Sequence, residues 1–294
     1  MKPAPFDYYA PTSLAEALDT LATLGYSGKV LAGGQSLIPA MNFRMARPPA
    51  LVDINNIPEL VYLNPTPEGG VAVGTMMRDA KVEEHPLIKE RVPLLPEVMQ
   101  YVAHQQIRNR GSFGGSIAHA DPAGQLPSTM LVLGAKMKLL KKGSERIVPA
   151  EEFFMGPFMT VIEPDEMLVE IIIPPMPERA GWAYQQVSRQ KGGYAQASVV
   201  VLLSLDEKGR CKMVRLALIS VGDTPMLSEA AIKTLVGKEP SEAVIQAAAD
   251  QIADHEIDPG TDIHATAAYR RELVRVLVVR ALTQAFAIAQ KRGG

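Results

Sequence analysis

An α+β fold is predicted, and three observations predict it. Before about residue 60, one helix and a few short strands are expected. From about 61 to Pro174-Pro175 a second mixed set follows. Beyond Pro177 three strands come first and three helices after them, the strand-to-helix switch of an α+β domain. A chain of 294 residues suits roughly two domains. The expected division is 1–176, itself in parts of about 1–60 and 61–176, and then 177–294.

The elements follow in order. Thr12 or Ser13 can cap a helix over Leu14 to Leu24, with Glu16 near its start and Gly25 beyond its end. Lys29 to Leu31 reads as a strand leading into Gly33 and Gly34, and Ala50 to Ile54 as another. In the second part Gly70 to Gly74 is strand-like after a Gly-Gly turn. Pro96 to Gln105 and Leu126 to Leu133 are helical in pattern, and Lys136 to Leu140 is strand-like. Pro149 to Phe153 and Asp165 to Ile173 complete this part, which Pro174-Pro175 stops. In the third, Ala183 to Ser188, Ala197 to Leu205 and Lys212 to Val221 read as a three-stranded antiparallel meander. Helices over Leu227 to Val236, Ser241 to Ala253 and Thr266 to Gln290 follow. In the last, Tyr269, Leu273, Val276, Leu277 and Arg280 trace a helical stripe.

Composition excludes several classes. The net charge of -2 with both signs mixed argues against binding nucleic acid through a basic face. A single cysteine, Cys211, permits neither an internal disulfide framework nor a four-thiolate iron–sulfur site, so any such cluster lies in another polypeptide. No apolar run reaches membrane-spanning length and the N-terminus lacks the pattern of a secretory signal, so a cytoplasmic location is expected.

Two glycine-rich stretches carry the chemistry. Ala32-Gly33-Gly34-Gln35-Ser36-Leu37 follows a predicted strand, and paired glycines there allow positive φ and leave N–H groups unshielded. Successive N–H groups in such a turn form an anion nest, which fits a diphosphate; a plain tight turn is the other reading. Gly111-Ser112-Phe113-Gly114-Gly115-Ser116, some 80 residues on, reads as a second loop of the same kind. Neither matches the Walker or dinucleotide-fold spacing, and neither holds a P-loop lysine, which disfavours nucleotide hydrolysis. Between them, Gln105 to Arg110 offers two arginines and three amides for phosphate or a partner, or is a solvated basic helix end. His119 and Asp121 fit a metal pair, a proton relay or a turn, and no further ligand-spaced histidine is present, so no metal site is expected.

Together these stretches resemble the signature of the FAD-binding medium subunits of the molybdenum hydroxylases, the family of carbon monoxide dehydrogenases and xanthine dehydrogenases. Ala32 to Leu37 is similar to its first diphosphate motif and Gln106 to Pro122 to its second. Pro48 to Ile57, Glu166 to Pro174 and the closing segment Tyr269 to Leu282 extend the resemblance over essentially the whole chain. It implies a two-part FAD domain of the vanillyl-alcohol-oxidase (PCMH) type and a small C-terminal α+β domain. It also implies site residues. Leu31, Ala32, Gly33, Gly34, Gln35, Ser36 and Leu37, with Ser112, Gly114, Gly115 and Ser116, would hold the diphosphate. Ala118 and Asp121 would lie along the adenosine or ribityl half, Leu168 or Val169 at the flavin edge, and Tyr194 near the isoalloxazine ring. Gln125 stands where the family often has an acid and Gln185 where it often has lysine; Gln125 can still reach a ribose hydroxyl, and Gln185 cannot offset charge on a reduced flavin.

The resemblance further implies partners. These are a large molybdopterin subunit and a small [2Fe–2S] subunit, assembled as a dimer of heterotrimers that delivers electrons to an external acceptor. No catalytic acid, base or nucleophile is expected in this chain. The rivals are a self-sufficient flavin oxidoreductase of the same fold and a non-enzymatic nucleotide-binding module. Met41, Met45, Met76, Met77, Met99, Met155, Met159 and Met167 read as core or interface fillers, and Cys211 and Trp182 as packing residues.

Overall fold

The computed structural model describes residues 1–292. The first part contains β1 (Asp7–Tyr9), α1 (Leu14–Leu24), β2 (Gly28–Leu31), α2 (Leu37–Asn42) and β3 (Ala50–Asp53). Its sheet runs in the order β1-β3-β2 and is wholly parallel. Parallel neighbours need a crossover between them, and α2 lies in the one joining β2 to β3. Helix α1 starts as the sequence predicts: Ser13 Oγ accepts from Glu16 N at 3.2 Å, and Glu16 Oε2 accepts from Thr12 N at 2.8 Å. Gly25, with φ 51°, ends it.

The second part contains β4 (Leu63–Pro65), β5 (Val71–Gly74), α3 (Asp79–Glu84), α4 (Pro86–Arg91), α5 (Leu94–Met99), α6 (Gln105–Arg108), α7 (Phe113–His119) and α8 (Gln125–Leu133). It continues with β6 (Lys136–Lys141), β7 (Ser144–Pro149), α9 (Ala150–Phe153), β8 (Phe154–Gly156), β9 (Met159–Thr160) and β10 (Met167–Ile173). Its five-stranded sheet has the order β4-β5-β10-β6-β7, all antiparallel. A bulge at Val169 breaks the β10–β6 register and leaves Val169 O to accept from Thr75 N at 3.0 Å.

The helix expected over Pro96 to Gln105 is two shorter ones. Between them Ala103 takes φ 46°, and the buried Arg108 donates to Val102 O at 3.0 Å and Ala103 O at 3.3 Å. That satisfies carbonyls an unbroken helix would have paired internally.

The third part contains β11 (Ala180–Ser188), β12 (Ala195–Leu205), β13 (Cys211–Ile219), β14 (Met226–Leu227), α10 (Glu229–Leu235), α11 (Glu242–Gln251) and α12 (Ala267–Arg292). The antiparallel sheet β11-β12-β13-β14 adds a two-residue fourth strand to the expected three. Nearly all of β12 is buried because both its faces are covered. Val199, Val201 and Leu203 pack with Leu277, Ala281 and Ala285 of α12, while Val200 and Leu202 join the core of the second part. A strand buried on both faces reads as a continuous apolar run rather than an alternation. Arg215 of β13 reinforces this joint by donating from Nε to Leu131 O of α8 at 3.1 Å and pairing with Glu151.

Candidate flavin site

The two glycine-rich stretches meet, though their ends lie about 80 positions apart in sequence. The first is the turn between β2 and α2. Gly34 has φ 73°, a value that costs a residue with Cβ about 1–2 kcal/mol. Gly33 lies against the second stretch: a Cβ there would fall 2.6 Å from Arg110 O and 2.8 Å from Ser112 N. Its N–H donates to Ser112 Oγ at 3.3 Å.

The second stretch is only partly a loop. Phe113 to His119 is helical, with Ser112 in the capping position, so Gly114, Gly115 and Ser116 lie in the first turns of α7. The glycine pattern disguised this helix, because glycine weakens helices by about 1 kcal/mol relative to alanine. Close approach is what those glycines allow. A Cβ on Gly114 would stand 2.8 Å from Thr75 Cα, and one on Gly115 would stand 2.6 Å from Ser112 Oγ. Phe113, fully buried, anchors the helix in the core.

The resulting surface is a row of donors. Among the described residues, the N–H groups of Gly34, Gln35, Ser36 and Leu37 find no protein acceptor, nor do those of Ser112 and Gly115. Ser36 is exposed beside them, and Gln35 folds back to donate from Nε2 to Gly33 O at 3.1 Å. Backbone donors left unpaired across two touching turns match a ligand rich in anionic acceptors, as a dinucleotide diphosphate is.

Beyond α7, Ala118 is half-buried, and Asp121 Oδ1 accepts from Ala123 N at 2.9 Å. Tyr194 stands in the turn before β12, near the Asp121 carboxylate. Desolvation of its hydroxyl and then that carboxylate push the phenol's pKa up, yet the residue is 68% exposed. His119 packs at a tilt against Phe158, ring centroids 5.0 Å apart, and burial pulls its pKa down. Among the described residues no cluster of metal-ligating side chains is present.

Four expected residues lie elsewhere than on an open cleft wall. Leu168 and Val169 are both buried, in different hydrophobic clusters. Gln125 is buried at the domain joint; its Nε2 donates to Gln186 Oε1 at 3.1 Å and to Tyr101 O at 3.3 Å. Gln185 lies on the α12 side of β11 and donates to Gln284 Oε1 at 2.8 Å. Because strand side chains alternate, the neighbouring Tyr184 and Gln186 face the other way. Gln186 Oε1 accepts from Tyr184 Oη at 2.6 Å, and its Nε2 lies 3.4 Å from Gly193 O, beneath the Tyr194 turn.

Sequence reasoning missed Asn55, Thr75, Arg78 and Asp79. Arg78 donates to Arg110 O and to Asn55 Oδ1, each at 2.7 Å. Asp79 is 3% exposed beneath Gly111, and burial pushes its carboxyl up to about 7 despite Arg108 and Arg78 nearby. The Pro48 to Ile57 stretch was the available signal for Asn55; none marked the other three.

Comparison with known proteins agrees with this geometry. Residues 4–176 match the FAD binding domain in molybdopterin dehydrogenase, and residues 182–285 match the CO dehydrogenase flavoprotein C-terminal domain. The chain is 38% identical to the 6-hydroxypseudooxynicotine dehydrogenase complex subunit alpha of Paenarthrobacter nicotinovorans, over 97% of this chain and 96% of that one. It is 37% identical to the carbon monoxide dehydrogenase medium chain of Hydrogenophaga pseudoflava, over 98% and 99%. A solved carbon monoxide dehydrogenase from Hydrogenophaga pseudoflava superposes with a TM-score of 0.94 at 38% identity, covering 98% of this chain and 99% of its counterpart. Quinoline 2-oxidoreductase from Pseudomonas putida 86 does so with 0.92 at 35% identity, covering 98% and 99%. This chain therefore belongs to the family of FAD-binding medium subunits of the molybdenum hydroxylases.

Proposed function

We propose that the chain holds FAD across the two touching turns and is the electron outlet of its complex, between iron–sulfur clusters in a partner and an external acceptor. The observation that carries this reading is the row of amides from Gly34 to Leu37 without protein acceptors, in a turn that touches the one holding those of Ser112 and Gly115. Charge-assisted hydrogen bonds from such donors are about twice as strong as neutral ones. In this assignment Leu31 to Leu37 and Ser112 to Ser116 bind the diphosphate. Ala118 and Asp121 lie along the adenosine or ribityl half, and the Tyr194 ring covers one flavin face. Bound FAD supplies a carrier that takes up electrons singly or in pairs. The chain's own residues fix its position and keep water from one face. Gln125 and Gln186 act behind the Tyr194 turn, and Gln185 has no flavin contact in this assignment.

The single, buried Cys211 leaves no cluster ligands in this chain, which supports a separate [2Fe–2S] subunit. Relatives named as medium chains or complex subunits support a large molybdopterin subunit beside it. We take the whole to be a cytoplasmic dimer of heterotrimers; no helix among the described residues is long and apolar enough to cross a membrane. The test is to reconstitute the purified chain with FAD and offer it small organic donors, alone and then with its partners. Flavin absorbance, no turnover alone and reduction through the partners are expected. Turnover by the chain alone would transfer it to the self-sufficient oxidoreductases, and a colourless protein would reject FAD.

A further inference from the structure

We propose that Arg78 and Asn55 form a strut that sets the spacing of the two diphosphate-binding turns, so that flavin affinity depends on a pair of positioning residues outside both turns. The inference rests on the FAD reading above. Arg78 Nη1 donates to Arg110 O at 2.7 Å, at the leading edge of the second turn. Its Nη2 donates to Asn55 Oδ1 at 2.7 Å, and Asn55 Nδ2 donates to Ala32 O at 2.8 Å, in the first turn. The Asn55 amide also donates to Asp53 Oδ1 at 2.5 Å. Its orientation is therefore determined: the oxygen faces a cation and the nitrogen faces two acceptors, and flipping it would break all three bonds.

The turns touch at Gly33 but share few hydrogen bonds. The second is stitched to its own domain, with Phe113 N donating to Met77 O at 2.9 Å and Asp79 N donating to Gly111 O at 3.2 Å. The first belongs to the parallel sheet of the N-terminal part. Among the described residues the direct hydrogen bond between them is Gly33 N to Ser112 Oγ, long at 3.3 Å. Arg78 is the charge-assisted link, and it is half-buried where the two subdomains meet. A guanidinium suits the role because its planar fork serves two acceptors at once, whereas an ammonium on the same stem is a point donor. The strut also brings a fixed positive charge beside rows of amide donors that otherwise carry only partial charges.

The test uses the full chain stripped of flavin and titrated with FAD, read by flavin fluorescence and by visible circular dichroism of the bound ring. Arg78→Met is expected to weaken binding roughly tenfold or more, each tenfold being about 1.4 kcal/mol. Arg78→Lys recovers only part of the loss. Asn55→Ala also weakens binding, and the double variant Arg78→Met/Asn55→Ala is no weaker than Arg78→Met, because the two residues act as one unit. Millimolar guanidinium tightens FAD binding by Arg78→Ala and leaves the wild type unchanged, an effect that loss of packing alone would not give. If Arg78→Met does not fold, Asn55→Ala and Arg78→Lys carry the test. Unchanged affinity in a folded Arg78 or Asn55 variant, or losses that simply add, overturns the strut while the flavin reading stands. A wild-type chain that binds no FAD overturns that reading, and the strut with it.

Discussion

Replacing Gly33 by alanine tests whether the two turns must touch. A Cβ at this position would lie 2.6 Å from Arg110 O, 2.8 Å from Gly111 Cα and 2.8 Å from Ser112 N. All three are backbone atoms of the second turn, so no side chain can swing aside. Comfortable contact between such atoms is about 3.5 Å. The turns must then part by about 0.7–0.9 Å to reach that separation. Overpacking of this kind costs about 1–3 kcal/mol of stability. Parting also stretches the bond from Gly33 N to Ser112 Oγ, already 3.3 Å long, beyond hydrogen-bonding range. Hydrogen bonds from amides to charged oxygens are worth about 1.5–3 kcal/mol each. Losing two of them at a bound diphosphate weakens FAD by about 3–6 kcal/mol, a factor of about 10² to 10⁴. The assay is FAD titration of the deflavinated chain beside a thermal melt without ligand. Gly260→Ala is the control, because a Cβ there meets open space. A folded Gly33→Ala chain that binds FAD within about threefold of wild type, less than 1 kcal/mol, would refute the reasoning.

Three further outcomes are expected. The Asp79 carboxyl, raised to about 7 from 3.8 by burial, keeps its proton in the fold after the unfolded chain has lost its own. Stability therefore falls as pH rises from about 4 to about 7 and levels off above that; Asp79→Asn removes this fall, and a urea midpoint with the same pH slope in the variant would contradict it. Arg270, 5% exposed, donates to Gln196 O, Ser220 O and the half-exposed Asp262 carboxylate, so Arg270→Ala should cost about 2–4 kcal/mol by urea unfolding with FAD affinity unchanged. A cost below about 0.5 kcal/mol would show the network to be dispensable. Tyr194→Ala should change stability by no more than about 0.5 kcal/mol yet alter the visible circular dichroism of bound flavin, and identical spectra would remove the ring from the flavin face.

What the sequence disclosed about this site was residue type; what it withheld was contact. Paired glycines with a neighbouring serine announce exposed amides wherever they fall, so the 32–37 turn was legible without a partner. The helical state of Phe113 to His119 was not, because it depends on Phe113 reaching the core and on Thr75 fitting against Gly114. Periodicity describes one element at a time. Arg78 acts on Arg110, 32 positions on, and Asn55 on Ala32, 23 positions back, so neither contact leaves a local pattern. The same limit applied to the helix expected over Pro96 to Gln105, which Arg108 interrupts by capturing its carbonyls.

The two glutamines of β11 carry this point to electrostatics. Adjacent strand residues face opposite ways, so a one-residue difference decides between the side of Tyr184 and Gln186 and the helix side. At 185 the side chain meets Gln284 of α12, and Gln284 Nε2 donates in turn to Glu97 Oε1 at 2.9 Å. Glu97 also accepts from Tyr184 N at 3.3 Å, which satisfies a backbone donor on that strand. A lysine at 185 would therefore stand near Glu97, on the α12 side of the strand. In this chain neutral amides link the same groups, and the opposite face carries the neutral Gln186 and a hydrogen-bonded tyrosine hydroxyl. Strand β11 thus brings no cation to the face that carries Tyr184 and Gln186. Arg78, by contrast, hydrogen-bonds to Arg110 O and to Asn55 at the joint of the two subdomains, beside both turns and away from the C-terminal sheet.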